Sequence, residues 1–166
     1  EKITKKTKAI MPVHIYGRIC NMDAINKIAK KHKLKVIEDA CEAQGARGLG
    51  KADITCYSLY GNKIIAGEEG GIITTNDKKV YDRLQDLKCM CFGKEHNYFH
   101  KSIGYNYRIT ESSAKKALKS LRKIKTNLKK RRKIEKKFDK ITPDCWKMPE
   151  REVVWVYDFL PPTGFI

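Results

Sequence analysis

The stretch Ser58-Leu59-Tyr60-Gly61-Asn62-Lys63-Ile64-Ile65-Ala66-Gly67-Glu68-Glu69-Gly70-Gly71 organises the chain. A strand-like run, Ile54 to Leu59, leads into it, and a second, Gly71 to Thr75, leads out. Between them sits one lysine among small and polar residues, with no basic neighbour nearer than Lys51 or Lys78. Elsewhere the lysines cluster. A solitary lysine in a glycine-rich connection between two strands calls for a reason of its own.

Upstream, Ala9 to Ile15 reads as a buried strand carrying Pro12, and Tyr16-Gly17-Arg18 as a turn. The spacing of Ile25, Ile28 and Ala29 predicts a helix over Met22 to His32, with Asn21 as its N-cap. Leu34 to Ile37 reads as the next strand and ends in Glu38-Asp39. This is a strand-helix-strand unit, most simply a right-handed parallel crossover. Residues 40–52, with Gly45, Gly48 and Gly50, read as a loop. Downstream, Asn76-Asp77 caps a helix over Lys78 to Lys88, with Val80, Leu84 and Leu87 as its buried stripe. Residues 89–104 are irregular. Thr110 caps a long helical region reaching about Phe138, and Val153 to Leu160 is strand-like. Alternating strands and helices predict an α/β architecture with a mainly parallel sheet. Such sheets bind ligands beyond the carboxyl ends of their strands. Those ends carry His14, Asp39 and the loop holding Lys63.

The 166 residues suffice for one domain, or one and part of another. Hydrophobic residues make up 41%, enough for a core, and no run of eighteen apolar residues predicts a membrane span. No secretory leader is legible in Glu1 to Lys6, and the cysteines (20, 41, 56, 89, 91, 145) lack CxxC spacing. Reduced, mostly buried thiols in the cytoplasm are expected. The histidines at 14, 32, 96 and 100 show no metal-ligand spacing. A net charge of +17 admits a nucleic-acid partner, with Lys129 to Lys133 the densest basic run. Lysine heavily outnumbers arginine, however, and arginine is the residue that forks onto bases and phosphates. Lysine-filled helix faces are the simpler explanation.

A strand-end acid and a lysine in a later loop suit pyridoxal 5′-phosphate. That cofactor needs an amine for a Schiff base and a carboxylate facing its ring nitrogen. Asp39 and Lys63 have the right chemistry. A strand-end carboxylate capping backbone N–H groups and an ordinary surface lysine have the same spelling.

The wording around them is more specific. Ile37-Glu38-Asp39-Ala40-Cys41-Glu42-Ala43-Gln44-Gly45-Ala46 resembles a segment of the DegT/DnrJ/StrS family of sugar aminotransferases. So do Ser58 to Lys63 followed by Glu69 to Asn76, Pro12 to Gly17 with Met22 to Ile25, and Gly104-Tyr105-Asn106-Tyr107-Arg108. Four blocks in the family's order span about residues 3–140. The Gly61-Asn62-Lys63 form is similar to enzymes that aminate the C4 keto group of nucleotide-linked 6-deoxysugars, perosamine synthases among them. The resemblance implies a fold type I transferase: a three-layer α/β/α large domain over 1–108, incomplete, then a helical connection and the start of a small domain over 109–166. It implies that Lys63 holds pyridoxal phosphate covalently and that Asp39 pairs with the ring nitrogen. Glu42 would sit near the ring hydroxyl, Cys41 against the ring face, and Ser58 on the phosphate. Asn106 would reach the phosphate of a neighbouring subunit in a homodimer with shared sites. Arg108, Tyr107 and His14 would lie toward substrate. The implied reaction moves an amino group, usually from glutamate, to a nucleotide-linked 4-keto-6-deoxysugar.

The chain departs from the family pattern in three places. It lacks the long portion before Pro12 that supplies a phosphate loop and a ring-stacking aromatic. Its loop from Ala46 to Asp53 is shorter than usual, and its C-terminal part stops after one helix and one strand-like run. It therefore reads as the middle of such an enzyme. Lys63 itself sets the chain apart from branches in which histidine replaces the lysine and the enzyme dehydrates instead. Two rival readings are an inactive remnant that serves as a binding module, and a basic nucleic-acid-binding protein using residues 111–138.

Overall fold

Among the described residues, four strands build one sheet in sequence order. In the computed structural model, which describes residues 2–92 and 98–163, β1 (Ala9–Ile10) runs parallel to β2 (Lys35–Asp39) and β2 parallel to β3 (Ile54–Ser58). β4 (Gly71–Thr74) pairs antiparallel to β3. The α/β architecture with a mostly parallel sheet is borne out. Helix α1 (Met22–His32) makes the crossover between β1 and β2. Its N-cap is Asn21, whose side chain accepts the Ala24 N–H at 3.0 Å. Met22 and Ala29 bury their side chains with Val36 of β2, and Ile10, Ile25 and Leu34 close this first core cluster.

The first strand is shorter than Ala9 to Ile15. Pro12 has no N–H to give a ladder. Its carbonyl still accepts the Asp39 N–H at 2.9 Å, and His14 N–H donates to the Asp39 carbonyl at 3.1 Å. The chain thus follows β2 to its end through single bonds rather than a regular strand. It then turns over Ile15–Gly17, with Tyr16 at φ 51° and Gly17 at φ +81°.

Helix α2 (Lys78–Lys88) is capped by Asp77, which accepts the N–H groups of Lys79 and Val80. Its stripe of Val80, Leu84 and Leu87 is only half-buried. The long helical region is two helices, α3 (Glu111–Leu121) and α4 (Ile124–Asp139). At the break, Lys123 N–H bonds Ser120 O at 3.0 Å in a tightened last turn. The Ser120 hydroxyl accepts Ala66 N–H at 3.1 Å, so the break is pinned by the lysine loop. Beyond it, Ile124 and Leu128 of α4 pack against Ala43, Ile64 and Val153 in a second core cluster. This cluster joins residues from both sides of position 108.

No strand forms over Val153 to Leu160, although Val153 and Val154 are buried. At its end Phe159 bridges antiparallel to Lys147 and Leu160 N–H donates to Trp146 O at 2.9 Å, while further back arginines satisfy carbonyls in and just before the run. Arg131 donates to Trp155 O, Arg132 to Arg151 O and Glu152 O, and Arg151 to Val156 O. The six cysteines are all free; Cys91 is buried, Cys145 exposed and the other four half-buried, so the thiols are less buried than expected. Among the described residues no helix is long and apolar enough to cross a membrane, and no acid, cysteine and histidine cluster could hold a metal. His96 lies outside the described residues.

The turn at Gly17 admits no side chain. A Cβ there would lie 1.9 Å from Val153 O, on a backbone that L-residues rarely adopt. Gly17→Ala is expected to cost at least ~2 kcal/mol and to detach the 151–158 segment. Urea unfolding with Trp fluorescence checks it. Unchanged stability would show that the segment is not seated on Gly17.

Candidate active site

Two parallel strands deliver the site. β2 ends in Asp39 and β3 in Ser58, and the backbones continue together as Ala40 N–H bonds Cys56 O at 2.9 Å. Asp39 is half-buried, and its Oδ1 accepts the Cys41 N–H at 3.0 Å. The Cys41 thiol is pushed up to about 12, first by burial and then by its hydrogen bond to Asp39 and the carboxylate's charge, while Lys63 pulls it down. Burial and the same carboxylate also raise Cys56. Asp39 and Lys63 thus both bear on one thiol, which stays protonated.

Gln44 fixes the lysine loop to the strand ends. It is buried, donates to Ser58 O, and accepts the Ile65 N–H at 2.7 Å. Lys63 N–H closes a turn onto Tyr60 O at 2.9 Å. The Lys63 amine lies over the indole of Trp155, Nζ 3.7 Å from the ring centroid. Trp155 stacks on Tyr16 at 6.0 Å and 17°, and its Nε1–H donates to Asn62 O at 3.2 Å. Arg131 donates to Asn62 O at 3.1 Å and reaches Lys63 O at 3.5 Å.

The other expected residues fall into two groups. Ser58 is at the site: its Oγ accepts the Tyr60 N–H at 3.2 Å, which leaves its hydrogen to donate. Glu42 is near but engaged, since Oε2 accepts the Tyr16 N–H at 2.8 Å. His14 is fully buried; Nε2 bonds Glu38 Oε1 at 2.8 Å and Nδ1 accepts the Cys20 N–H at 3.2 Å. Both ring nitrogens are spent inside the fold, so His14 has none to offer a substrate. Asn106, Tyr107 and Arg108 are exposed on a separate segment. There Asn106 pairs with Cys89, its Oδ1 accepts the Arg108 N–H at 3.5 Å, and Tyr107 stacks on Tyr105 at 5.0 Å.

Sequence reasoning missed Trp155, Tyr16, Arg131 and Gln44 as site residues. Gln44 stood inside a quoted motif, so its position carried a signal. Trp155 carried none, being 92 positions from Lys63 in an apolar run that read as a strand. Arg131 and Arg132 stood in the densest basic run, yet both spend their forks on carbonyls of this chain. That removes the two best phosphate donors from a nucleic-acid surface on α4.

The donor set fits pyridoxal phosphate. It has an amine, a carboxylate beside a protonated thiol, and a hydroxyl with a hydrogen to give. Comparison with known proteins agrees. Residues 1–152 match the DegT/DnrJ/EryC1/StrS aminotransferase family. The GDP-perosamine synthase of Caulobacter vibrioides is 39% identical over 168 residues, covering 93% of this chain and 45% of that protein. The Helicobacter pylori PseC structure, an aminotransferase involved in the biosynthesis of pseudoaminic acid, superposes with a TM-score of 0.80 at 26% identity, covering 88% of this chain and 42% of that one. The E. coli GDP-4-keto-6-deoxy-D-mannose-3-dehydratase, solved with bound hydrated PLP, gives 0.81 at 25% identity, covering 99% and 50%. The chain spans less than half the length of the curated relatives it matches.

Proposed function

Because this chain belongs to the DegT/DnrJ/EryC1/StrS aminotransferase family, we propose that it serves amino transfer from a donor such as glutamate to the C4 keto group of a nucleotide-linked 4-keto-6-deoxysugar. The observation that supports the proposal is that Asp39, at the end of β2, and Lys63, in the loop after β3, both bear electrostatically on the Cys41 thiol. Pyridoxal 5′-phosphate, on which the family depends, supplies an electron sink for the carbon being aminated.

The roles follow from what each side chain has left to give. Lys63 contributes its amine as the covalent tether. Free of the tether, the Lys63 amine would serve as the general base and acid that moves a proton at the reacting carbon. Asp39, half-buried, would hold the ring nitrogen by a charge-assisted hydrogen bond. The Ser58 hydroxyl donates to the phosphate. Cys41, neutral and at the strand end, presents an apolar surface to the ring face. Glu42 acts one step back from the ring, by holding Tyr16 beneath Trp155. Asn106, Tyr107 and Arg108 are directed to a second copy's site, which accords with their exposure. A cytoplasmic location belongs to the same reading, since nucleotide sugars are its substrates.

One experiment tests the assignment. Pyridoxal phosphate is added, borohydride follows, and the digested protein is read by mass spectrometry. The reduced adduct is expected on the peptide carrying Lys63. An unmodified Lys63 in folded protein at saturating cofactor would leave a binding module in place of an enzyme.

A further inference from the structure

We propose that Trp155 is a positioning residue for Lys63: its indole face receives the lysine's ammonium whenever that nitrogen is unbonded, and must release it before a bond to the cofactor forms. The second half rests on the function proposed above. The first half rests on the chain's own geometry.

The ring is held by contacts other than the lysine. Tyr16 stacks on it at 6.0 Å, Asn62 O accepts its N–H, and Arg131 donates to its carbonyl. Tyr16 is itself set by Glu42 and by the turn at Gly17. The segment on which Trp155 rides is anchored by Arg18, which pairs with Asp158 at 2.9 and 3.2 Å and donates to Pro149 O at 2.8 Å. The indole is therefore a built surface, and the lysine, with four rotatable bonds, is the part free to leave it.

An ammonium over the face of tryptophan is attracted by the ring quadrupole. A nitrogen that is to attack an aldehyde must first yield its extra proton to solvent. It then bonds the aldehyde carbon, and the aldehyde oxygen departs as water with the two remaining N–H protons. A nitrogen doubly bonded to carbon has no ammonium hydrogens to aim at the ring. The same residue therefore shelters an unbonded lysine from electrophiles and opposes its condensation.

Competitive acetylation tests the first half without any cofactor. Limiting acetic anhydride is added to the whole chain, and acetylation at Lys63 is measured against the exposed Lys27 and Lys31 of α1. In Trp155→Leu the Lys63 ratio is expected to rise roughly tenfold, within the range a partly desolvated cation–π contact spans. In Trp155→Phe, which keeps a π face, it is expected to stay within about threefold of wild type. No rise in a Trp155→Leu protein with unchanged circular dichroism overturns the proposal. So does a folded Trp155→Phe protein whose Lys63 labels as readily as Lys27, and this arm decides if the leucine variant does not fold. The second half is read with pyridoxal phosphate as the probe, by the rate at which the coloured adduct forms. Trp155→Leu is expected to react faster than wild type, and an equal or slower rate overturns that half. A labelling response without any coloured adduct would uphold the Trp155 contact and sink the functional reading. A coloured adduct at Lys63 with no labelling response would do the reverse.

Discussion

On the proposed function, Lys63→Arg is expected to abolish amino transfer, with a loss of at least ~10³-fold, while the fold is retained. The size follows from removing a covalent nucleophile and a general acid–base at one position. Arginine is the informative replacement. It keeps a cation that can lie over Trp155, which stacks well with guanidinium, and it cannot form the tether. Stability by urea unfolding should therefore stay within ~1 kcal/mol of wild type, and the borohydride adduct should vanish. Activity within tenfold of wild type in the arginine protein would sink Lys63 as the catalytic residue. Asp39→Asn tests the partner role. The amide cannot hold a ring nitrogen protonated by charge, so turnover should fall while the Lys63 adduct still forms.

The second large effect is on stability. Glu38→Ala is expected to destabilise the fold by ~3–5 kcal/mol. Glu38 is fully buried and accepts three hydrogen bonds, from His14 Nε2 at 2.8 Å, Thr55 Oγ1 at 2.6 Å and Gly50 N–H at 2.8 Å. Truncation strands the His14 and Thr55 donors in the interior and removes the partner of the exposed Gly50 N–H, which costs more than the bonds themselves stabilise. Burial pushes the Glu38 carboxyl up, but the Thr55, His14 and Gly50 hydrogen bonds outweigh it and hold it below its ordinary 4.5. A carboxyl lowered in the folded state stabilises above its unfolded value and loses that contribution as pH falls through the folded value. The stability gap between wild type and Glu38→Gln should accordingly be full at neutral pH and shrink as pH falls below about 4.5. Urea titrations across that range check it. A gap independent of pH would mean that Glu38 is not ionised in the fold.

Glu38 shows where sequence reading stops. It stands beside Asp39 in the same motif, and the pair reads as two equivalent strand-end acids. Alternation along β2 separates them. Glu38 points into the network of His14 and Thr55, and Asp39 remains half-exposed beside Cys41. The resemblance placed His14 toward substrate for the same reason: a strand-end histidine is a ligand or a core group by its neighbours alone. Glu38 and Cys20 N–H occupy both of its nitrogens.

The helix at 111–138 carries a similar lesson. Its apolar spacing is continuous, so nothing local marks a break. The break belongs to the Ser120 contact with Ala66, 54 positions away, which no periodicity registers. Val153 to Leu160 has strand composition, but a strand needs a neighbour: one bridge forms, Phe159 to Lys147, and Arg131 of α4 satisfies the Trp155 carbonyl instead.

The sequence by itself determined the strand-helix-strand opening, the caps at Asn21, Asp77 and Thr110, the solitary lysine between two strands, and the family. These follow from local rules: side-chain period, N-cap chemistry and motif order act within a few residues. Only the tertiary structure decided what surrounds Lys63. Trp155 is 92 positions away, and it reaches the amine because Gly17 lets Val153 cross at backbone distance and Arg131 ties three carbonyls at the crossing. Such a contact depends on where packing brings distant segments together, and the spacing of residues along the chain carries no record of it.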